Sequence, residues 1–464
     1  MATSSEIYFE LVELSGHVVA KGTWGATLQA NCLYQCAHLA KPGRRCRLLQ
    51  GSKEITPITP LAALDLGLGT CIQVVWLSSS VGDRHSQSRA FAAIKADGSV
   101  VTWGDADCGG DSSAVAALLA EGVVQICGNG SAFAAIKADR SVVTWGDAGS
   151  GGDSSAVAAL LTEGVNQICA VDGAFAAIMA DNSLVTWGDA ACGGDSSAVA
   201  ALLAEGVVQI CGNSGDAFAA IKADGSIVTW SDADRGGYSS DVAALLKDGA
   251  VQICGNDCAF AAIKADGSIV TWGDADRGGD SSVVAALLTE GVVQIYRSDG
   301  AFAAIKADGS IVTWGDADCG GNSSAVAALV TKGVVQICGN GNAFAAIKAD
   351  GSLVTWGDAD CGGDSSVVAA LLTEGVVQIC RSDGAFAAIK ADRSVVTWGD
   401  ADCGGDSSAV AALLTEGVVQ ICRNYNAFAA IKADGSIVTW DDAGCGGDSS
   451  AVAALLTEGV VQVC

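Results

Sequence analysis

The segment Gly104-Asp105-Ala106-Asp107-Cys108-Gly109-Gly110-Asp111 gathers potential ligand atoms at close spacing. Carboxylates at alternating and late positions around a glycine turn are how acidic loops collect hard oxygen ligands, so Asp105, Asp107 and Asp111 are the calcium candidates of the chain. Copies of the segment recur to the end of the sequence and argue the other way. The first Asp persists in every copy, but Asp107 becomes Gly149, Ala191 or Gly444, and Asp111 becomes Tyr238 or Asn322. An Asp after a strand and an Asp before a helix also have ordinary roles, as turn residue and N-cap. The expectation is therefore turns and caps, with no metal and no cofactor.

Catalytic readings fare no better. His17, His38 and His85 all precede residue 90, so the repeats offer no imidazole as base or metal ligand, and the chain is read as a non-enzyme. Lys95 and its equivalents recur once per copy, interrupted by Met179, and read as solvated hairpin charges. Of the 19 Cys, 15 lie in the repeats, mostly after VVQI (Cys127, Cys169, Cys211) or after GDAD (Cys108, Cys319, Cys361). The first site becomes Tyr296 in one copy and the second becomes Ser150, Arg235 or Arg277. A disulfide frame would not tolerate those exchanges, so buried thiols are expected. Cys254 with Cys258, and Cys32 with Cys36, lack the further ligands of a zinc site.

The elements that carry these residues repeat. The Phe of each AFAAI run falls at Phe91, Phe133, Phe175, Phe218, Phe260, Phe302, Phe344, Phe386 and Phe428, a period of 42 with one step of 43, giving nine units and placing nine of the 11 Trp within them. A fixed period of this size marks a propeller or solenoid array. Within a unit, AFAAIKAD and SVVTWGD read as two strands joined at Asp97-Gly98, where the turn needs positive φ. Arg140, Asn182 and Arg393 take that glycine's place in three units. DSSAVAALLAEG reads as a short helix with Val115, Leu118 and Leu119 as its apolar stripe, Asp111 or Ser113 as cap and Gly122 as stop. VVQIC is the next strand. Because AFAAI and VVTW are apolar on both faces, these strands should be covered on both sides.

At this level the repeat resembles that of the regulator of chromosome condensation family. VVQICGNGSAFAAIKADGSVVTWGD, residues 123 to 147, follows that family's order of a VxxVxxG strand, an apolar strand and a DGxVxxWG strand, and the short period is similar to the bacterial β-lactamase inhibitor protein of the same superfamily. The resemblance implies a β-propeller. Nine units against the family's seven blades, and DADCGGD plus a helix in place of its NxxGQLG loop, leave an open superhelix or β-solenoid as the alternative. The family's exchange factors for small GTPases, and the recognition arms of HECT-type ubiquitin ligases within it, are the functional alternatives it implies.

The head, residues 1–77, reads differently. IYFELVELSGHVVAKGTWGATL supplies two strands round Ser15-Gly16, Leu28, Cys32, Cys36 and Leu39 share a helix face, and residues 46–77 follow the strand, loop, short turn and last strand of a ubiquitin-like β-grasp fold. The resemblance would set Leu49 and Val74 near ubiquitin's apolar binding patch. LSSS stands where ubiquitin has its diglycine, so docking is expected and conjugation is not. Residues 78–89 are a connector and 90–464 the array, giving a mainly β chain overall.

Charge follows the same division. Residues 1–89 hold eight Lys/Arg and six Asp/Glu, while the remainder holds 17 against 46. An array so acidic repels nucleic acid and anionic membranes and favours basic protein partners. Asp105, Asp107, Asp111 and Glu121 are the partner-binding candidates of the array, as Leu49 and Val74 are of the head. Residues 1 to 16 lack the pattern of a signal peptide and no apolar run reaches membrane-spanning length. A cytoplasmic or nuclear, non-enzymatic interaction scaffold, with ubiquitin-pathway proteins at its head, is the function expected.

Overall fold

The apolar repeat strands must hide two faces, and stacked sheets are how they do it. A computed structural model describes residues 6–13, 18–25, 30, 33, 46–50, 53–55, 61–64 and 70–76 of the head, and 88–463 of the array apart from 232, 240, 241, 243, 248 and 457–459. Each repeat forms an antiparallel sheet of three strands. In one representative blade these are Val123–Gly128, Ala132–Lys137 and Val142–Gly146. The first strands of successive blades approach one another, which makes them the inner strands of a ring.

The middle strand AFAAIK is buried almost throughout, as its two-faced apolar pattern requires. Its faces serve different neighbours. Phe133 and Ala135, with Ile126 and Trp145, pack on Ala90, Ala92 and Ile94 of the preceding blade. Ala132, Ala134 and Ile136, with Cys127, receive Phe175 and Trp187 of the following one. Large residues on one face thus meet small ones on the next blade's face, and that alternation propagates round the array.

The array closes. Val460–Val463 pairs antiparallel with Ala90–Lys95, so the last strand of the chain becomes the inner strand of the first hairpin's sheet. Phe91 and Trp103 then pack against Ala427, Ala429 and Leu456 as every other blade packs on its predecessor. Nine sheets form a closed propeller, and the open superhelix and β-solenoid are excluded. The two ends of the array supply one blade between them, a split that a count of repeats does not reveal.

The hairpin turn behaves as read. Gly98 donates to the Lys95 carbonyl at 2.8 Å with φ of 77°, and Arg140, Asn182 and Arg393 accept the same left-handed backbone at 68°, 63° and 69°. Asp97 Oδ1 accepts from the Ser99 amide at 2.9 Å and its hydroxyl at 2.6 Å, which steadies the turn and holds the carboxyl below its usual range. The predicted helix is a correction. DSSAVAALLAEG forms only 3-10 turns, such as Ser113–Val115 and Ser155–Leu160, with a four-residue α-helical turn at Ala200–Leu203. The segment is tied at one end by Thr102 and Ser112, hydroxyl to hydroxyl at 3.0 Å, and at the other by Val100, whose amide donates to the Leu119 carbonyl at 3.0 Å. Too few residues remain between the ties to meet the nucleation cost of an α-helix. Leu119 is buried, whereas Leu118 is 53% exposed, so the expected stripe does not form.

In the head, β1 (Glu6–Glu13), β2 (Val18–Gly25), β3 (Cys46–Gln50), β4 (Lys53–Ile55) and β5 (Cys71–Trp76) form one sheet in the order β2-β1-β5-β3-β4. β1 and β5 pair parallel and the other neighbours antiparallel. Phe9, Leu11, Leu33, Leu48, Ile72 and Val74 build its core. Ser15-Gly16 and the helix-face residues Leu28, Cys32, Cys36 and Leu39 lie outside the described residues.

Ring closure can be tested by deleting residues 460–464. Losing the buried Val460 and Val463 should cost roughly 3 to 6 kcal/mol, read as a lower urea midpoint. An unchanged midpoint would mean that the first hairpin does not depend on the last strand.

Candidate functional site

The DADCGGD segment sits at one face of the ring, between the outer strand of its own blade and the next blade. Asp105 Oδ1 accepts from the Asp107 amide at 3.0 Å, and the Asp105 amide donates to the Arg89 carbonyl at 3.0 Å, so the first Asp shapes the turn. Asp111 Oδ1 accepts from the Ser113 amide at 2.8 Å, a cap that holds its carboxyl below the usual range. Gly109 has φ of 93°, and a Cβ there would come 2.6 Å from the Phe133 ring of the next blade. Its carbonyl accepts the Trp145 indole N–H at 3.0 Å. The segment is therefore a latch for the neighbouring Trp as well as an acidic loop.

Among the described residues no group of three or more His, Cys, Asp or Glu is placed to hold a metal ion. Cys108, Cys192, Cys319, Cys361, Cys403 and Cys445, the cysteines of the acidic segments, form no disulfide. Burial, then Asp316, pushes the Cys319 thiol up to about 12, so it stays protonated and inert at neutral pH.

The structure does not bring the array's four candidates to one rim. Asp105 and Asp107 lie at the face where inner strands end, Asp111 flanks the outer strand, and Glu121 lies at the opposite face beside Gly122, whose carbonyl accepts from Ala138 after the middle strand. Asp stands at the Asp105 position in all nine units and at the Asp107 position in six. One face of the ring is thus lined with carboxylates. In the head, Val74 is 1% exposed within the core, because β5 alternates Ile72 and Val74 inward with Cys71 and Gln73 outward. It presents no binding surface, and that expectation is overturned. The register sets Leu49 opposite Glu54 and Gln73.

The same face surrounds the ring's central mouth, which the sequence reading missed. Loops after the inner strands link blade to blade through their backbones: Asp257 donates to Asp299, Asp299 to Gly341, Gly341 to Asp383, Asp383 to Tyr425 and Tyr425 to Ser88, at 2.8 to 3.1 Å. Arg297, Arg381 and Arg423 stand where other units have Gly128, Ala170, Gly212, Gly255 or Gly339. Arg381 and Arg423 are buried, and Arg297 reaches the Ser214 hydroxyl of a blade two places back at 3.4 Å. Burial raises Asp299 to about 6 against the pull of these arginines, and burial with Asp299 raises Asp383 to about 6. Asp172 rises to about 7 through burial and then Asp216 and Asp257. The signal was visible as a Gly-to-Arg exchange after VVQIC or VVQIY in three units.

No family model matches the sequence, and no curated protein matches it. In three dimensions the chain is similar to Prp20p of Saccharomyces cerevisiae, at 14% identity over 50% of this chain and 71% of that one, with a TM-score of 0.33. It is similar to human WBSCR16 at 14% identity, over 50% of this chain and 75% of that one, with a TM-score of 0.35. The CRINKLY WD40 ectodomain of the Arabidopsis thaliana receptor kinase ACR4 matches at 15% identity, over 60% of this chain and 96% of that one, with a TM-score of 0.35. Likenesses at this level transfer no function. No helix among the described residues is long and apolar enough to cross a membrane.

Two expectations follow from the acidic face. Chelator should leave the melting temperature unchanged, because the Asp105 and Asp111 carboxylates are occupied by backbone amides; a calcium-dependent rise lost in Asp105→Ala would overturn the turn-and-cap assignment. Asp441 stands where most units have Gly, at φ of 89°, and burial followed by Asp402, Asp442 and Asp400 raises its carboxyl to about 7. The folded state therefore holds this proton between the ordinary carboxylate range and about 7, and the stability linked to it is full below that range and lost as pH rises through 7. Asp441→Gly should raise the melting temperature at every pH by relieving the backbone, and more at pH 8 than at pH 4. A larger gain at pH 4 would contradict this account of the site.

Proposed function

We propose that the protein is a non-enzymatic interaction scaffold whose carboxylate-lined face holds basic, Lys/Arg-rich segments of partner proteins. The observation that carries this reading is the repetition of Asp105 in nine units and Asp107 in six on one face of a closed ring. A basic segment laid across that face meets several equivalent carboxylates, and linked weak contacts add up to useful affinity. Each exposed pair contributes only about 0 to 1 kcal/mol and is screened by salt. Binding should therefore require several blades and weaken with ionic strength.

Within this reading residues 1–77 are a ubiquitin-like docking domain, joined through 78–89 to the array at 90–464. The sheet order β2-β1-β5-β3-β4, with β1 and β5 parallel at its centre, supports the β-grasp assignment. With Val74 inside the core, docking of ubiquitin-pathway proteins would rest on Leu49 and its surroundings.

The Asp107 carboxylates can be neutralised without touching the Asp105 turn. In the full chain, Asp107, Asp234, Asp276, Asp318, Asp360 and Asp402 replaced by Asn should leave the fold intact. The variant should bind a fluorescent Lys/Arg-rich peptide at least tenfold more weakly at 50 mM salt, and wild-type affinity should fall steadily towards 300 mM. Affinity indifferent to both changes would overturn the acidic-face reading. Acceleration of nucleotide release from a small GTPase would replace it with an exchange-factor role.

A further inference from the structure

The mouth of the ring carries charges that the acidic scaffold does not use. Arg297, Arg381 and Arg423 end three inner strands at a position where four other blades have glycine, namely Gly128, Gly212, Gly255 and Gly339. A blade therefore needs no side chain there in order to fold. Arg381 is 4% exposed and Arg423 7%. Burying a guanidinium is costly unless its N–H groups are met, and the Arg381 Nη1 meets no acceptor among the described residues.

The loops on the far side of the mouth pose the complementary problem. Asp172 and Asp216 each keep one carboxylate oxygen, Oδ1, buried with no donor among the described residues. Asp172 too stands where other blades have glycine, at Gly130 and Gly341. Asp216 meets Arg235 only through its other oxygen, at 3.9 Å. Stability of the blades thus accounts for neither the orphaned donor nor the orphaned acceptors, and buried polar groups without partners point to a ligand.

The mouth is narrow enough for these groups to share one. Arg297 donates to the Ser214 hydroxyl at 3.4 Å, which sets its guanidinium beside the loop that carries Asp216. The Asp299 carboxyl lies within electrostatic reach of Arg297, Arg381 and Arg423 together, and Asp172 within reach of Arg297 and Asp299 from three blades away. A Cβ on Gly341 would lie 3.5 Å from both Asp299 Oδ2 and Asp383 Oδ1, so two carboxylates converge over a residue that has no side chain. Asp172, Asp216 and Arg297 are half-buried and open the mouth to solvent.

Charge selects among occupants. A simple anion would meet the arginines but also the carboxylates between and opposite them, inside a face already lined with Asp105- and Asp107-type groups. A simple cation would leave the Arg381 guanidinium unmet. A small molecule with an ammonium and a carboxylate on one frame meets both sets and brings no net charge. Arginine favours the carboxylate end, since its fork matches that group's two oxygens.

We propose that the mouth of the ring binds a small zwitterion of the amino-acid class, its carboxylate held by Arg381 and Arg423 and its ammonium by Asp172 and Asp216 on the far side.

Calorimetric titration of the full chain tests this with ω-amino acids of rising length, from glycine to 6-aminohexanoate, which scans the spacing between the two charged ends. One length should bind with a dissociation constant of about 1 mM or below, at least tenfold tighter than acetate or methylammonium. Arg381→Gly and Asp172→Gly install residues that other blades already carry, so both should keep the wild-type melting temperature. Each should weaken the best zwitterion at least tenfold. The first should also erase its advantage over methylammonium, and the second its advantage over acetate. No heat from any zwitterion at 10 mM, acetate or methylammonium binding as tightly as the best zwitterion, or either glycine variant binding like the wild type would overturn the proposal. Replacing Asp107 and its equivalents with Asn should leave this affinity unchanged, which keeps the test separate from the acidic-face reading. Affinity that falls with those carboxylates would set the ligand on the outer rim and overturn its assignment to the mouth.

Discussion

The structure depends on one contact repeated at every blade boundary. The indole N–H of each repeat Trp donates at 3.0 to 3.2 Å to the carbonyl of a glycine in the preceding blade, from Trp145 on Gly109 to Trp440 on Gly404, and Trp103 closes the series on Gly446. The same Trp stacks on the Phe of its own middle strand, with ring centroids 5.1 to 5.4 Å apart. Breaking one such buried bond leaves a polar group unsatisfied at a cost of about 1 to 3 kcal/mol, and the stack contributes about 0.5 to 1.5 kcal/mol beyond its buried area. The glycine pair of DADCGGD follows from this constraint, since a side chain at Gly109 would strike the Phe133 ring.

Once the latch is in place, the two ends of every blade are free to differ, and the charge pattern uses that freedom. The end that carries the latch loop and the mouth bears the Asp105- and Asp107-type carboxylates. The other end bears the Lys95-type lysines, the Asp97- and Glu121-type carboxylates and the exposed leucines. At the mouth itself, arginines and aspartates replace the glycines and neutral loop residues of other blades, giving an otherwise ninefold ring a distinct side. A single repeated unit thus yields two unlike faces and one unique centre.

Much of this was legible in the residues. The 42-residue period, the two-faced apolar strands and the positive-φ turn at Asp97-Gly98 each follow from local chemistry and reappear in the structure. What escaped was what depends on long-range pairing. VVQVC at the end of the chain reads as one more strand, and only its partner at Ala90–Lys95 reveals a closed ring. Leu118 and Leu119 look alike on a helical wheel, but the bond from Val100 to the Leu119 carbonyl decides which is buried. Val74 was misplaced because a binding patch was carried over from a resemblance, while the alternation of β5 turns it inward.

The central claim is that the ring is closed by the same latch that joins its blades, and the Trp103 indole reports on it. In protein labelled with nitrogen-15 at the indole, with the Trp103 signal assigned by its loss in Trp103→Phe, hydrogen exchange in deuterated water should be as slow for Trp103 as for Trp272 in the middle of the array. Both N–H groups donate to a buried neighbour's carbonyl, Trp103 to Gly446 and Trp272 to Gly236. Exchange of Trp103 at the rate of a solvent-exposed indole, with Trp272 still protected, would contradict closure and with it the two-faced ring on which the functional reading stands.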